Sequence, residues 1–279
     1  MLLPVNATLG IVMAALLAVA TGGAALARFT DARDRRRYWK DIVMAGLRAT
    51  AQLAVVSLVV GAVMHQVPLL LAFVMVMFTV ATFTAGRRIT RNGTGWWCAV
   101  AIAAGVLPTL VPLLLTGLLP LKGIALIPVA GILIGGALTA TVIAGRRSLE
   151  ELEARRGEVE AAMALGFLDR DARLEIARPA AADALIPGLD QTRTVGLVTL
   201  PGAYVGMLLG GSSPVQAGAV QLFVLIALMA VQTVAVAVTV ELVARGVLHS
   251  GERVRAAGRR IVGREPAVVS DGKLRPRSR

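Results

Sequence analysis

Seven apolar stretches, each near the ~20 residues a helix needs to cross a bilayer, run through this 279-residue chain. They lie at about 5–27, 42–64, 68–86, 96–118, 123–145, 194–212 and 215–245, by length and apolarity. With 56% hydrophobic and 16% charged residues, a soluble core would lack the polar surface to cover it. The pattern predicts an all-α, polytopic membrane helix bundle of about seven transmembrane helices.

The charges orient these spans. Arg28, Arg33, Arg35, Arg36, Arg37 and Lys40 follow the first, and Arg87, Arg88 and Arg91 follow the third. Arg146, Arg147, Arg155, Arg156, Arg170, Arg173, Arg178 and Arg193 fall between the fifth and sixth, whereas the opposite side offers only Lys122. Lys and Arg gather on the cytoplasmic side, so the N-terminus is expected outside and the C-terminus inside. Ala25-Leu26-Ala27 looks like a signal-cleavage site, but the basic cluster follows the first apolar run instead of preceding it. An uncleaved first span is therefore expected. Tyr38, Trp39, Trp96 and Trp97 then sit near the cytoplasmic interface, where amphipathic rings prefer to lie. Residues 1–250 are read as the transmembrane domain with an insert at 146–193, and 251–279 as a basic, disordered tail leaning on anionic headgroups. The net charge of +12 belongs to this topology, and nucleic acid is not expected as a partner.

The insert from Arg146 onward carries charges on most turns and still keeps helical periodicity. Leu149, Leu152, Val159 and Met163 form a stripe, and Glu151 and Arg155 stand in the favourable i,i+4 order. The fifth span is expected to continue as helix to about Leu165 and to end at Gly166, where the chain must turn with positive φ. Asp169 and Asp171 suit the start of a second short helix running to Pro179. Helix, glycine turn and short helix make a protruding cytoplasmic knob; the alternative is an amphipathic helix lying on the membrane.

Within the spans, Gly131, Gly135 and Gly136 on the fifth, and Gly202, Gly206 and Gly210 on the sixth, let helix backbones approach. Bundle packing, a subunit contact and pathway lining all use that spacing. Pro108, Pro112, Pro128 and Pro201 suit either static bends or moving helices. Arg48 lies seven residues past Asp41 with Gln52 one turn on. It either reaches back to the headgroups or faces the interior toward cargo or a partner such as Glu241. Glu241 has a simpler partner in Arg245 at i,i+4.

Glu160-Ala161-Ala162, Gly166, Ile176 and Pro179 resemble the cytoplasmic loop of ABC transporter permeases that docks in a cleft of the ATPase subunit, with Arg178 where a Leu is usual. Ile127-Pro128-Val129-Ala130-Gly131, the run Thr194 to Gly202 that contains Pro201, and Pro214 through Gln221 resemble the bacterial iron-export ABC permeases, whose plant relatives are linked to aluminium tolerance. Arg48 and Gln52 match an Arg-x-x-x-Gln pattern of that family's second span. Gly136 stands where Asn is typical, and Ile132 and Ala203 where Met is common.

The resemblance implies a multi-pass permease of the bacterial inner membrane, a homodimer bound to separate ATPase subunits, exporting an iron-like metal ion. It assigns ATPase coupling to Glu160, Ala161, Ala162, Gly166, Ile176 and Pro179. Translocation or packing falls to Arg48, Gln52, Gly131, Gly135, Gly136, Pro201, Gly202 and Gln221. No G-x-x-x-x-G-K-[ST] run occurs in the sequence, so ATP and Mg are expected on the partner and no cofactor or enzymatic activity on this chain. Metal-binding residues stay unknown: Cys98 is the sole cysteine and His65 and His249 the only histidines. The alternatives are a binding-protein-dependent importer permease and a non-transport membrane scaffold. A secondary transporter would call for mid-membrane carboxylates.

Overall fold

Backbone polar groups left open in lipid cost several kcal/mol each, so a span must close its hydrogen bonds internally. The computed structural model describes residues 6–29, 37–63, 66–90 and 92–250, and its named elements are helices. The basic tail, Arg33, Arg35, Arg36, Arg91 and His65 lie outside the described residues. The chain divides into two compact units, residues 1–69 and 70–279.

In the first unit α1 (Ala7–Leu26) and α2 (Tyr38–Val63) pair. The Asn6 side chain caps α1 by accepting from the Leu9 N–H at 3.1 Å, and the contact closes where Gly46 meets Leu17. The basic residues Arg28, Arg37 and Lys40 lie at the linked ends of the two helices. Between Tyr38 and Gly61 α2 has no buried residue, as befits a span that meets lipid.

The second unit is organised around α10 (Pro214–Ala244), with α3 (Val67–Ile89), α4 (Cys98–Leu115) and α5 (Gly123–Ala154). Ser213 and Gln216 start α10 with a reciprocal capping box. The core holds Leu70, Ile102, Leu126, Leu133, Leu225 and Val231, each under 2% exposed. Helices associate in lipid by close packing, and glycines set how close. A Cβ on Gly105 of α4 would lie 2.6 Å from the Val231 carbonyl oxygen. One on Gly136 of α5 would lie 2.2 Å from Leu228 Cδ1.

The same contacts give the helix directions. Gly131 and Gly145 of α5 face Met77 and Ile89 of α3, and Thr90 at the end of α3 bonds the carbonyl of His249 beyond α10 at 3.0 Å. Thus α3, α5 and α10 run the same way, with α4 between α3 and α5 running back. Arg87, Arg88, Arg146, Arg147 and Arg245 therefore share one end of this unit, as the charge pattern of these spans leads one to expect.

Because α5 and α10 are parallel, the chain must recross between them. Among the described residues six helices are long and apolar enough to span a membrane; the expected sixth span at 194–212 is not one of them. After α6 (Arg156–Ala164), α7 (Asp169–Ala182) and α8 (Ile186–Thr194), the backbone leaves helix until α9 (Gly202–Leu209). Gly196 has φ +83, and Pro201, which forces extended backbone on the residue before it, stands at the N-cap of α9. The break folds onto the Thr194 carbonyl, which accepts from Val198 N at 2.9 Å and Thr199 N at 3.3 Å. With eight residues, α9 rises about 12 Å, well short of the ~30 Å core. The sixth passage is therefore discontinuous.

Two further departures are local. The helix leaving the fifth span is interrupted at Arg155 (φ −106, ψ 30), where the guanidinium pairs with both Glu151 and Glu158. The α7 helix does not stop at Pro179 but runs through it to Ala182. Pro179 and Glu175 are both exposed, so water can serve the carbonyl that proline leaves free.

These contacts predict an order of sensitivity. Gly105→Ala should destabilise by about 1–3 kcal/mol, because the atom it strikes is backbone. Gly136→Ala should cost less, since Leu228 can turn away, and Leu228→Ala should relieve it further. Thermal unfolding in detergent checks this; equal shifts for the two glycines would contradict it.

Candidate functional site: the cytoplasmic knob

Between α5 and α8 the insert forms a hairpin of α6 and α7. Of its stripe, Leu149, Leu152 and Val159 are buried, while Met163 is exposed. The turn is built on Gly166, whose φ of +98 lies where an L side chain is strained. Gly166 N–H donates to the Met163 carbonyl at 3.0 Å and Phe167 N–H to Ala162 at 3.1 Å, the double bond of a Schellman ending. Nothing lies within 4 Å of a Cβ built on Gly166, so conformation alone demands glycine there.

The Glu-Ala-Ala triplet serves this ending. Glu160 accepts from Arg156 Nε at 2.9 Å on the exposed face, and Ala161 offers its carbonyl to Leu165 N–H at 3.1 Å. Ala162 is half-buried. Arg155 donates from Nε to Glu158 at 2.7 Å, and that hydrogen bond holds the Glu158 carboxyl below the usual carboxylate range. At the tip the side chains become apolar and stand in the open: Leu165 is 82% exposed, Leu168 71% and Phe167 53%. Exposed apolar patches of this kind mark protein or membrane contact sites.

Past the tip, Asp169 and Asp171 fall in the first turn of α7, as expected. Ile176 is buried, with Ala172, Leu174, Ala177 and Ala181, on the face α7 turns to α5 and α10. Pro179 and Arg178 are exposed. The motif residues thus do different jobs: the triplet and Gly166 shape the tip, and Ile176 seats α7.

Glu241 meets the expected Arg245, at 2.5 Å, and also a partner the sequence did not suggest. Arg170 of α7 grips it with two bonds, Nε to Oε1 at 2.7 Å and Nη2 to Oε2 at 2.8 Å. Hydrogen bonding to Glu241 raises the Arg170 pKa above its ordinary value.

The residues expected in the pathway or packing are not brought to one place. Arg48 and Gln52 are exposed on α2. Gly131 touches Met77 Cε, Gly136 packs on Leu228, and Gly135 and Gly202 have open space where a Cβ would stand. Pro201 caps the half-helix α9. Gln221 is 6% exposed, and among the described residues its side-chain oxygen has no hydrogen-bond partner. Sequence reasoning missed Gln232, which is buried with its amide between Gly136 and Gly188 of α8. A signal existed: Gln221, Gln232 and Thr239 are eleven and seven apart, which at 100° per residue puts them on one face of α10. Also missed was a polar latch at the cytoplasmic end. Asn92 donates from Nδ2 to the His249 carbonyl at 2.9 Å and accepts from Thr94 N–H at 3.0 Å.

Among the described residues no three His, Cys, Asp or Glu side chains gather as a metal site. No solved structure matches the chain. Among curated proteins it is similar to the UPF0014 membrane protein STAR2 of rice, 37% identical over 198 residues, covering 70% of this chain and 69% of the relative. It also resembles the protein ALUMINUM SENSITIVE 3 of Arabidopsis thaliana, 33% identical over 70% of this chain and 72% of the relative. The probable iron export permease protein FetB of Escherichia coli is 30% identical over 66% of this chain and 73% of the relative. The description of the uncharacterised protein family UPF0014 matches residues 12–248, nearly the whole described bundle with its knob, and this multi-pass membrane protein belongs to that family.

Proposed function

We propose that the chain is the permease half of an ATP-driven transporter of the bacterial inner membrane, working as a pair of copies with separate ATPase subunits that hold ATP and Mg. The observation that carries this is the knob: exposed apolar side chains at Met163, Leu165, Phe167 and Leu168, held on a rigid turn outside the membrane-spanning helices. Such a surface has no use in water unless a partner covers it, and a cleft in a soluble motor suits a protrusion of this size. Closure of the motor would push the tip and switch the bundle between inward and outward access.

The cargo we propose is an iron-like metal ion moving outward. Support comes from the E. coli relative, whose name is that of a probable iron export permease.

Co-purification with an ATPase encoded beside it is the direct test. The unaltered chain should retain the ATPase, and Gly166→Pro should lose it while still inserting in the membrane, because proline cannot adopt φ +98. Retention of the ATPase by Gly166→Pro would count against the knob. Cells lacking the chain should accumulate iron; unchanged iron with a lost nutrient would turn the reading toward import.

A further inference from the structure

Besides the packing of α7 on α5 and the long Arg147–Asp183 pair at 4.0 Å, three routes lead from the tip of the knob into the bundle, and two are interrupted. Through α6 the path to α5 passes Arg155, where the helix is broken (φ −106, ψ 30). Through α7 and α8 the path to α9 passes the non-helical stretch 195–201. The third is sideways, from Arg170 to Glu241. Arg170 is four residues past Gly166, and Glu241 lies in the last turn of an unbroken 31-residue helix, about 46 Å long at 1.5 Å per residue. That length exceeds the hydrocarbon core.

The two faces of α7 hold it differently. Its buried side carries small residues, with Ala172 and Ala177 at 0% and Ala181 at 1% exposed, beside Leu174 and Ile176 at 8% and 7%. Apolar packing of this kind seats α7 closely but supplies no directional bond. The two parallel bonds from Arg170 to Glu241 are directional, as fork-to-carboxylate pairs are. Arg173 passes close to the same end of α10, its Nη1 3.1 Å from where a Cβ on Gly246 would stand, and its guanidinium binds Asp169 at 2.7 Å.

We infer that Arg170 and Glu241 are positioning residues forming a strut that delivers movement of the knob to α10, and through α10 to the outer side of the membrane. The inference rests on the reading that an ATPase grips the tip. It adds that α10, not the broken sixth passage, is the element driven first. The Arg245 bond to Glu241 makes the strut testable, because removing Arg170 leaves the carboxylate paired and the fold intact.

The test uses the full chain with its ATPase in liposomes and a Val215→Cys reporter at the outer end of α10, where Val215 is 82% exposed. Cys98, fully buried, stays in place. The rate of maleimide labelling from outside is compared between nucleotide-free and ATP-analogue-bound complexes. With the strut intact the two rates should differ at least about fivefold, the low end of a usual coupling between sites. Arg170→Gln should bring the ratio to near one without dissociating the ATPase, and Arg170→Lys should keep part of it. A merely structural pair would shift the unfolding temperature and leave the ratio unchanged. An unaltered ratio in Arg170→Gln or no nucleotide effect on the reporter overturns the strut. If the reporter chain does not bind its ATPase at all, the coupling reading beneath it fails instead.

Discussion

The absence of a side chain at three positions lets α10 sit where it does. Gly105, Gly136 and Gly188 come from three different helices, and at each a Cβ would fall within 2.6 Å of an atom of α10. In lipid there is no hydrophobic gain from bringing apolar helices together, so association depends on how closely surfaces meet. These glycines bring α4, α5 and α8 against one face. Leu228 and Gln232 fill the space that the glycines of α5 and α8 leave. Packing is thus complementary at specific pairs, and Gly136, at a position where relatives' Asn was expected, is explained by the Leu228 methyl that takes its place.

Once α10 is placed, the discontinuous sixth passage follows. Parallel α5 and α10 require a return, and the return carries the sequence least able to form one helix, with Gly196 at positive φ and Pro201 six residues after Val195. The loop spends its own amides on the Thr194 carbonyl, yet Leu197 is 92% and Val198 79% exposed. Irregular backbone at membrane depth is tolerated where protein or water surrounds it. A second copy of the chain, as proposed for the working pump, would supply such surroundings.

Much of this was readable in advance, for physical reasons that differ by feature. Span positions and their alternation were legible because transfer of about twenty apolar residues and the side preference of arginine leave few choices. The turn at Gly166 was legible because helix endings have local chemistry: the triplet, the glycine and the acidic start of α7 all lie within twelve residues. The break at 195–201 was hidden by its own apolarity, since hydropathy counts side chains and takes no account of φ. Arg170 with Glu241 was hidden by distance, 71 residues apart, where i,i+4 logic finds only Arg245. The spacing of Gln232 to Gln221 is legible in the sequence, but its role is not, because an amide in an apolar helix gains meaning only from the two glycines that pack beside it.

The glycine contacts and the ion pair differ in kind, and magnitudes separate their roles. An overpacked contact costs about 1–3 kcal/mol, while a partly exposed ion pair contributes roughly 0–1 kcal/mol. The side chains of Arg170 and Glu241 remain 45% and 29% exposed, so their pairing adds little to whether the bundle holds. What it adds is direction: two parallel bonds align the guanidinium with the carboxylate, where the apolar seat of Ala172, Leu174, Ile176, Ala177 and Ala181 supplies closeness without a directional bond. The two kinds of contact sit at different places on α7, the apolar seat along its length and the guanidinium fork at the turn nearest the tip.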